Sequence, residues 1–230
     1  MVVTTFPALP PHPETLDLRQ LVNAGRSKGV FMNRFVLTAC LCCAVSVPAF
    51  AALQQGAAAP TFTAQASLAG KEFKFALADA LKKGPVVVYF YPGAFTGGCN
   101  IQAHTFAENM DKFHAAGASV IGVSLDKIAT LNQFSADPEY CAGKLPVASD
   151  ADGKISHSYD LKVADAPPAG SGFKNTRGDA IDHGFAERTT FIVTSDGKVA
   201  ATVGGMKPAE NVEKSLEIVQ QLKEGKKPAA

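Results

Sequence analysis

The sequence predicts an α/β domain, a central mixed sheet flanked by helices with an N-terminal hairpin. Three observations carry this. Val86–Tyr91 and Ser119–Ser124 are predominantly apolar, β-branched and aromatic runs, the pattern of strands buried on both faces. Between them Ala103, Phe106, Met110 and Phe113 fall on one face of a helix. Thr189–Val193 and Lys198–Val203 flank Ser195-Asp196-Gly197, a strong hairpin signal.

Taken in order, the first quarter of the chain is a different kind of sequence. Residues 1–31 carry Pro7, Pro10, Pro11 and Pro13 and are expected to be unstructured or untranslated, with translation starting at Met32. Met32-Asn33-Arg34 supplies a basic start, Val36–Val47 an apolar core and Ala49-Phe50-Ala51 a small-residue ending. Residues 32–51 thus read as a secretory signal peptide cleaved after Ala51, and the apolar run is too short to span a bilayer. A lipoprotein reading of Leu37-Thr38-Ala39-Cys40 competes, but almost no apolar core precedes it. Cleavage would place the chain in the periplasm or outside the cell; without it the protein is cytoplasmic. Processing would also remove Cys40, Cys42 and Cys43, leaving Cys99 and Cys141, an even pair in an oxidising compartment.

After a small-residue linker, 52–59, the domain is expected over 60–225 with a short tail at 226–230. Phe62–Ala66 and Glu72–Phe75 flank Gly70 as a hairpin, and Ala76–Lys82 is a brief helical turn closed by Gly84-Pro85. Gly117 ends the helix that follows the first buried strand. Asp126 is placed to cap a helix carrying Ile128, Leu131 and Phe134. Leu145–Ala148 is a short strand, and 164–185 is a loop rich in Gly, Pro, Ala and Asp. Pro208 opens a last helix bearing Val212, Leu216 and Val219, stopped at Gly225. Phe62, Phe73, Phe75, Phe106 and Phe113 read as core.

Composition bounds the function. The chain has 230 residues, Lys+Arg 22 against Asp+Glu 21 and 47% hydrophobic residues, enough for one well-buried core. Balanced charge gives no electrostatic case for nucleic acid or an anionic membrane. The mixed run Lys223–Lys227 reads as a solvated end.

The chemistry concentrates in Pro92-Gly93-Ala94-Phe95-Thr96-Gly97-Gly98-Cys99. Pro92 stops the strand, two glycines let the chain turn, and Cys99 falls at a helix N-terminus, where unpaired N–H groups and the dipole favour a thiolate. This Pro-x-x-x-Thr-x-x-Cys pattern resembles the active-site signature of the peroxiredoxins. The likeness runs from Ala59-Pro60-Thr61-Phe62 to Val203. It includes Tyr89-Phe90-Tyr91-Pro92, Ile101-Gln102-Ala103, Val120–Ser124, Pro146–Asp150 and Arg188–Val193, and is nearest the bacterioferritin-comigratory, or Q-type, group.

The resemblance implies a thioredoxin-like fold and a thiol-dependent peroxidase acting on hydrogen peroxide and organic hydroperoxides, with no haem, flavin or metal. It implies Cys99 as peroxidatic nucleophile, Thr96 bonded to thiolate and peroxide, Pro92 shielding the pocket and Arg188 completing the set. The electron donor would be a thioredoxin-like protein or another thiol, and the protein a monomer or weak homodimer. Many relatives carry a resolving cysteine five residues after the first, where this chain has His104. Cys141 is then the expected resolving thiol, and an inert Cys141 with an external thiol is the alternative. Cys99, His104 and Cys141 do not match standard zinc spacing, and His104, His114, His157 and His183 read as non-ligands. A disulfide oxidoreductase and a redox sensor compete on the same fold. Gln102 stands where the former would have the second cysteine of Cys-x-x-Cys.

Overall fold

The computed structural model describes residues 52–228. Residues 1–31, the expected leader at 32–51 with Cys40, Cys42 and Cys43, and the last two residues of the tail lie outside them. In chain order the elements are β1 (Thr63–Leu68), β2 (Lys71–Ala76), α1 (Leu77–Leu81), β3 (Val86–Phe90), α2 (Gly97–Ala115), β4 (Ser119–Ser124) and α3 (Ile128–Ala136). There follow β5 (Val147–Ser149), α4 (Lys154–Ser158), β6 (Val163–Ala164), β7 (Phe185–Ala186), β8 (Thr189–Val193), β9 (Val199–Gly204) and α5 (Pro208–Lys223).

Seven strands form one mixed sheet in the order β2-β1-β5-β4-β3-β8-β9. β3–β4 and β4–β5 are parallel, as helical crossovers require, and the remaining pairs are antiparallel. β3, an interior strand between β4 and β8, is buried along its whole length, because helices cover both faces. Its alternate residues divide the core. Val87 and Tyr89 face a cluster with Phe106, Met110 and Phe113 of α2, Leu131 and Phe134 of α3, and Val212 and Val219 of α5. Val86, Val88 and Phe90 face the opposite cluster with Leu77, Tyr159 and Phe191.

Several expectations needed correction. Phe73 is not core: it lies on edge strand β2 and is 36% exposed. Asp126 does not cap α3, whose N-cap is Lys127 with no side-chain cap bond; its carboxylate turns back toward the loop after β3. The short helix α4 was not visible in so brief a sequence pattern. The 164–185 loop is closed at its base by the β6–β7 pair.

Candidate active site

Strand register builds this site. β8 runs antiparallel to β3 with Phe90 opposite Thr189, so Arg188 emerges beside the point where β3 gives way to Pro92. The chain then turns through Gly93–Thr96, with Phe95 held at φ 56°, and enters α2. Cys99 is the third residue of α2, within the first turn, whose N–H groups have no intrahelical acceptor. Thr96 is the N-cap, but its side chain makes no cap bond.

Arg188 Nη2 donates to Cys99 Sγ at 3.3 Å across 89 residues of sequence. The guanidinium passes so close over Gly98 that a Cβ there would lie 3.1 Å from Nη2, so a larger residue would push the arginine aside. Cys99 is only 2% exposed, and Pro92 and Thr96 are half-buried beside it. A cation and the free N–H groups of a helix N-terminus converge on a shielded sulfur, an arrangement that stabilises negative charge developing beside it.

Thr96 differs in detail from the expectation. Its hydroxyl donates to the Gly93 carbonyl at 2.8 Å, and no hydrogen bond joins it to Cys99. With that proton engaged, the oxygen offers its lone pairs as an acceptor to a peroxide O–H.

Cys141 is a free thiol, fully buried in the same apolar cluster as Cys99. Burial, with a smaller effect of the Asp137 carboxylate, pushes its pKa far above the usual thiol range. In this conformation it is an un-ionised thiol. The hydroxyls of Tyr89 and Tyr91 sit in that cluster without partners, and burial pushes both phenols well up.

Side chains outside the cysteine motif complete the surroundings. Gln102, one helical turn beyond Cys99, accepts from Arg188 Nη1. The Asp126 carboxylate, 3% exposed, accepts the Ala94 N–H at 2.8 Å and the Ser124 hydroxyl at 2.7 Å on one oxygen, and pairs with His183 Nε2 at 3.0 Å on the other. His183 Nδ1 donates to the Gly184 carbonyl at 2.8 Å, so both ring nitrogens face acceptors. Burial alone would depress its pKa, but the hydrogen bond and charge of Asp126 outweigh it and hold the imidazole above its ordinary value.

Arg177, from the 164–185 loop, lies 3.6 Å over the Phe95 ring and pairs with Asp137 at 2.5 Å. Its neighbour Thr176 donates to the Phe95 carbonyl through both N–H and hydroxyl, and receives a bond from Asn100. The loop therefore ties the Cys99 turn to the segment leading to Cys141. His104 does so as well: it remains on the helix surface, yet its Nδ1 bonds the Glu139 carbonyl at 2.9 Å. Among the described residues no cluster of three His, Cys, Asp or Glu side chains could hold a metal ion, and no helix is long and apolar enough to cross a membrane.

Residues 55–202 match the AhpC/TSA family. The chain is 33% identical over 114 residues to peroxiredoxin Bcp of Escherichia coli K12, covering 50% of this chain but only 64% of that protein's length. It is 31% identical over 173 residues to the chloroplastic peroxiredoxin Q of Oryza sativa subsp. japonica, covering 74% of this chain and 68% of the other. Among solved structures it is similar to peroxiredoxin Q of Xanthomonas campestris, with TM-score 0.56 and 27% identity over 76% of this chain and 99% of that one.

Proposed function

The chain belongs to the AhpC/TSA family, and on that premise we propose that it is a thiol-dependent peroxidase that reduces hydrogen peroxide and organic hydroperoxides. The observation that carries the proposal is the 3.3 Å contact of Arg188 with Cys99 Sγ at the first turn of α2. In this reading the Cys99 thiolate attacks one peroxide oxygen. The S–O bond forms as the O–O bond breaks, and the departing oxygen takes a proton to leave as water or an alcohol. Sulfur is oxidised by two electrons to the sulfenic acid and the peroxide is reduced.

Arg188 holds the thiolate and opposes charge on the departing oxygen. Thr96 accepts a hydrogen bond from the peroxide O–H. Pro92 keeps water from the sulfur, and the free N–H groups of the first helical turn add fixed donors.

Cys141 resolves the sulfenic acid: its thiol displaces water, forming the Cys99–Cys141 disulfide, which an external thioredoxin-like dithiol reduces. Burial of Cys141 means that the 137–142 segment or the first turn of α2 must open to bring the Cα atoms to about 5.5–6 Å. The protein acts as a monomer or weak homodimer, exported by residues 32–51.

Peroxide-dependent oxidation of a panel of thiol donors tests this reading, comparing the wild type with Cys99→Ser. Turnover abolished by the substitution supports it; turnover retained refutes it. Peptide mapping after peroxide decides Cys141: the Cys99–Cys141 linkage supports resolution within the chain. A free Cys141 beside over-oxidised Cys99 assigns resolution to an external thiol.

A further inference from the structure

The Asn211 side chain, on α5, bonds neither Cys99 nor Arg188, yet the residue is fully buried and that side chain makes three hydrogen bonds. Its Nδ2 donates to the Val203 carbonyl at 3.0 Å. A backbone carbonyl can only accept, so this bond fixes which way the Asn211 amide points. Its Oδ1 is thereby presented to two donors, the Thr190 hydroxyl at 2.7 Å and Gln102 Nε2 at 3.0 Å. Gln102, also fully buried, must then turn its Oε1 the other way, where Arg188 Nη1 donates to it. The other guanidinium nitrogen, Nη2, reaches Cys99 Sγ.

We propose that Asn211 is a positioning residue: it orients the Gln102 amide, which in turn aims the Arg188 guanidinium at the Cys99 sulfur. Orientation passes from the Val203 carbonyl on β9, through two side-chain amides, to the reacting atom. A glutamine beside an arginine needs such a device, because its two ends are nearly isosteric but opposite in polarity. Turned over, Gln102 would set an NH2 against the guanidinium, leave Nη1 without an acceptor and release the fork from its geometry. A glutamate at 102 would need no orienting partner, since both of its carboxylate oxygens accept.

That contrast supplies the test, which rests on the peroxidase reading only in one of its two readouts. Asn211→Leu is measured alone and combined with Gln102→Glu, by peroxide consumption and by the rate of Cys99 alkylation with iodoacetamide at fixed pH. With Gln102 present, Asn211→Leu is expected to slow both about tenfold, the loss of one buried charge-assisted hydrogen bond. With Gln102→Glu the same substitution is expected to cost less than about threefold, because the acceptor for Arg188 no longer depends on orientation. Equal losses in the two backgrounds, or no loss in either, overturn the proposal and make Asn211 an ordinary core residue.

If wild type consumes no peroxide with any donor, the functional reading fails while the alkylation cycle still decides the relay. Asn211→Ser serves should the leucine variant not fold. In the wild type itself, slow solvent exchange of the Gln102 side-chain amide protons is expected by NMR; rapid exchange contradicts a locked amide.

Discussion

The Asp126–His183 pair yields a prediction in which a single-atom substitution inverts a pH dependence. One carboxylate oxygen takes the Ala94 N–H and the Ser124 hydroxyl, and the other faces His183 Nε2, whose ring has Nδ1 committed to the Gly184 carbonyl. In the wild type the pair is best satisfied by the imidazolium, and the His183 pKa is accordingly raised. A raised folded-state pKa gives stability that is full below the unfolded value of about 6.5 and is lost as pH rises through the folded one.

Asp126→Asn can keep its oxygen toward Ala94 and Ser124 and place its NH2 against Nε2. That amide suits the neutral ring, with its proton on Nδ1, and repels the cation. The variant should therefore lose about 1–2 kcal/mol near pH 8, where charge-assisted bonds become neutral ones, and more near pH 5.5. Asp126→Ala strands the Ala94 N–H and leaves a buried half-pair, costing about 3–5 kcal/mol. Urea unfolding followed by circular dichroism between pH 5.5 and 8.5 reads all three proteins. The His183 contribution should fall with rising pH in the wild type and rise in Asp126→Asn. Parallel profiles for the two would refute the pairing as the source of the pH dependence.

Three further outcomes follow from the geometry. Arg188→Leu removes the donor on Cys99 Sγ and should lower kcat/KM for peroxide about 30- to 150-fold, equivalent to about 2–3 kcal/mol, with circular dichroism unchanged. Arg177→Ala removes the cation over Phe95 and the pair with Asp137. Amide exchange should then accelerate about tenfold in 93–96 and 137–142, and an unchanged pattern would show that the loop does not restrain them. Gly122→Ala would place a Cβ 2.6 Å from the Tyr89 ring, and thermal unfolding should show a loss of about 1–3 kcal/mol.

Much of this molecule could be read before its structure, because its elements announce themselves through periodicity. β3, β4 and the hairpin around Asp196 are short runs of buried strand residues bounded by Gly, Pro or Asp, and the cysteine loop lies between a strand and a helix with a regular apolar face. What escaped was side-chain destination. Asp126 falls one residue short of the α3 N-cap, Lys127, and its carboxylate instead accepts the Ala94 N–H of the loop after β3. His183, Arg177 and Asn211 reach the site from positions remote in sequence, and no local pattern encodes a contact between segments so far apart. Gln102 carried the one usable signal, one helical turn from Cys99 on a helix leading from the site. Phe73 shows the converse failure, since alternation marks a strand but not whether anything packs on its face.

The account stands on Cys99 sulfur as the atom that takes oxygen from peroxide. The most direct measurement is mass spectrometry of Cys141→Ser after one equivalent of hydrogen peroxide, with dimedone present to trap sulfenic acid. One dimedone adduct on Cys99 per peroxide consumed is the predicted result. Peroxide consumed with Cys99 unmodified, or Cys99 untouched while peroxide persists, would contradict it.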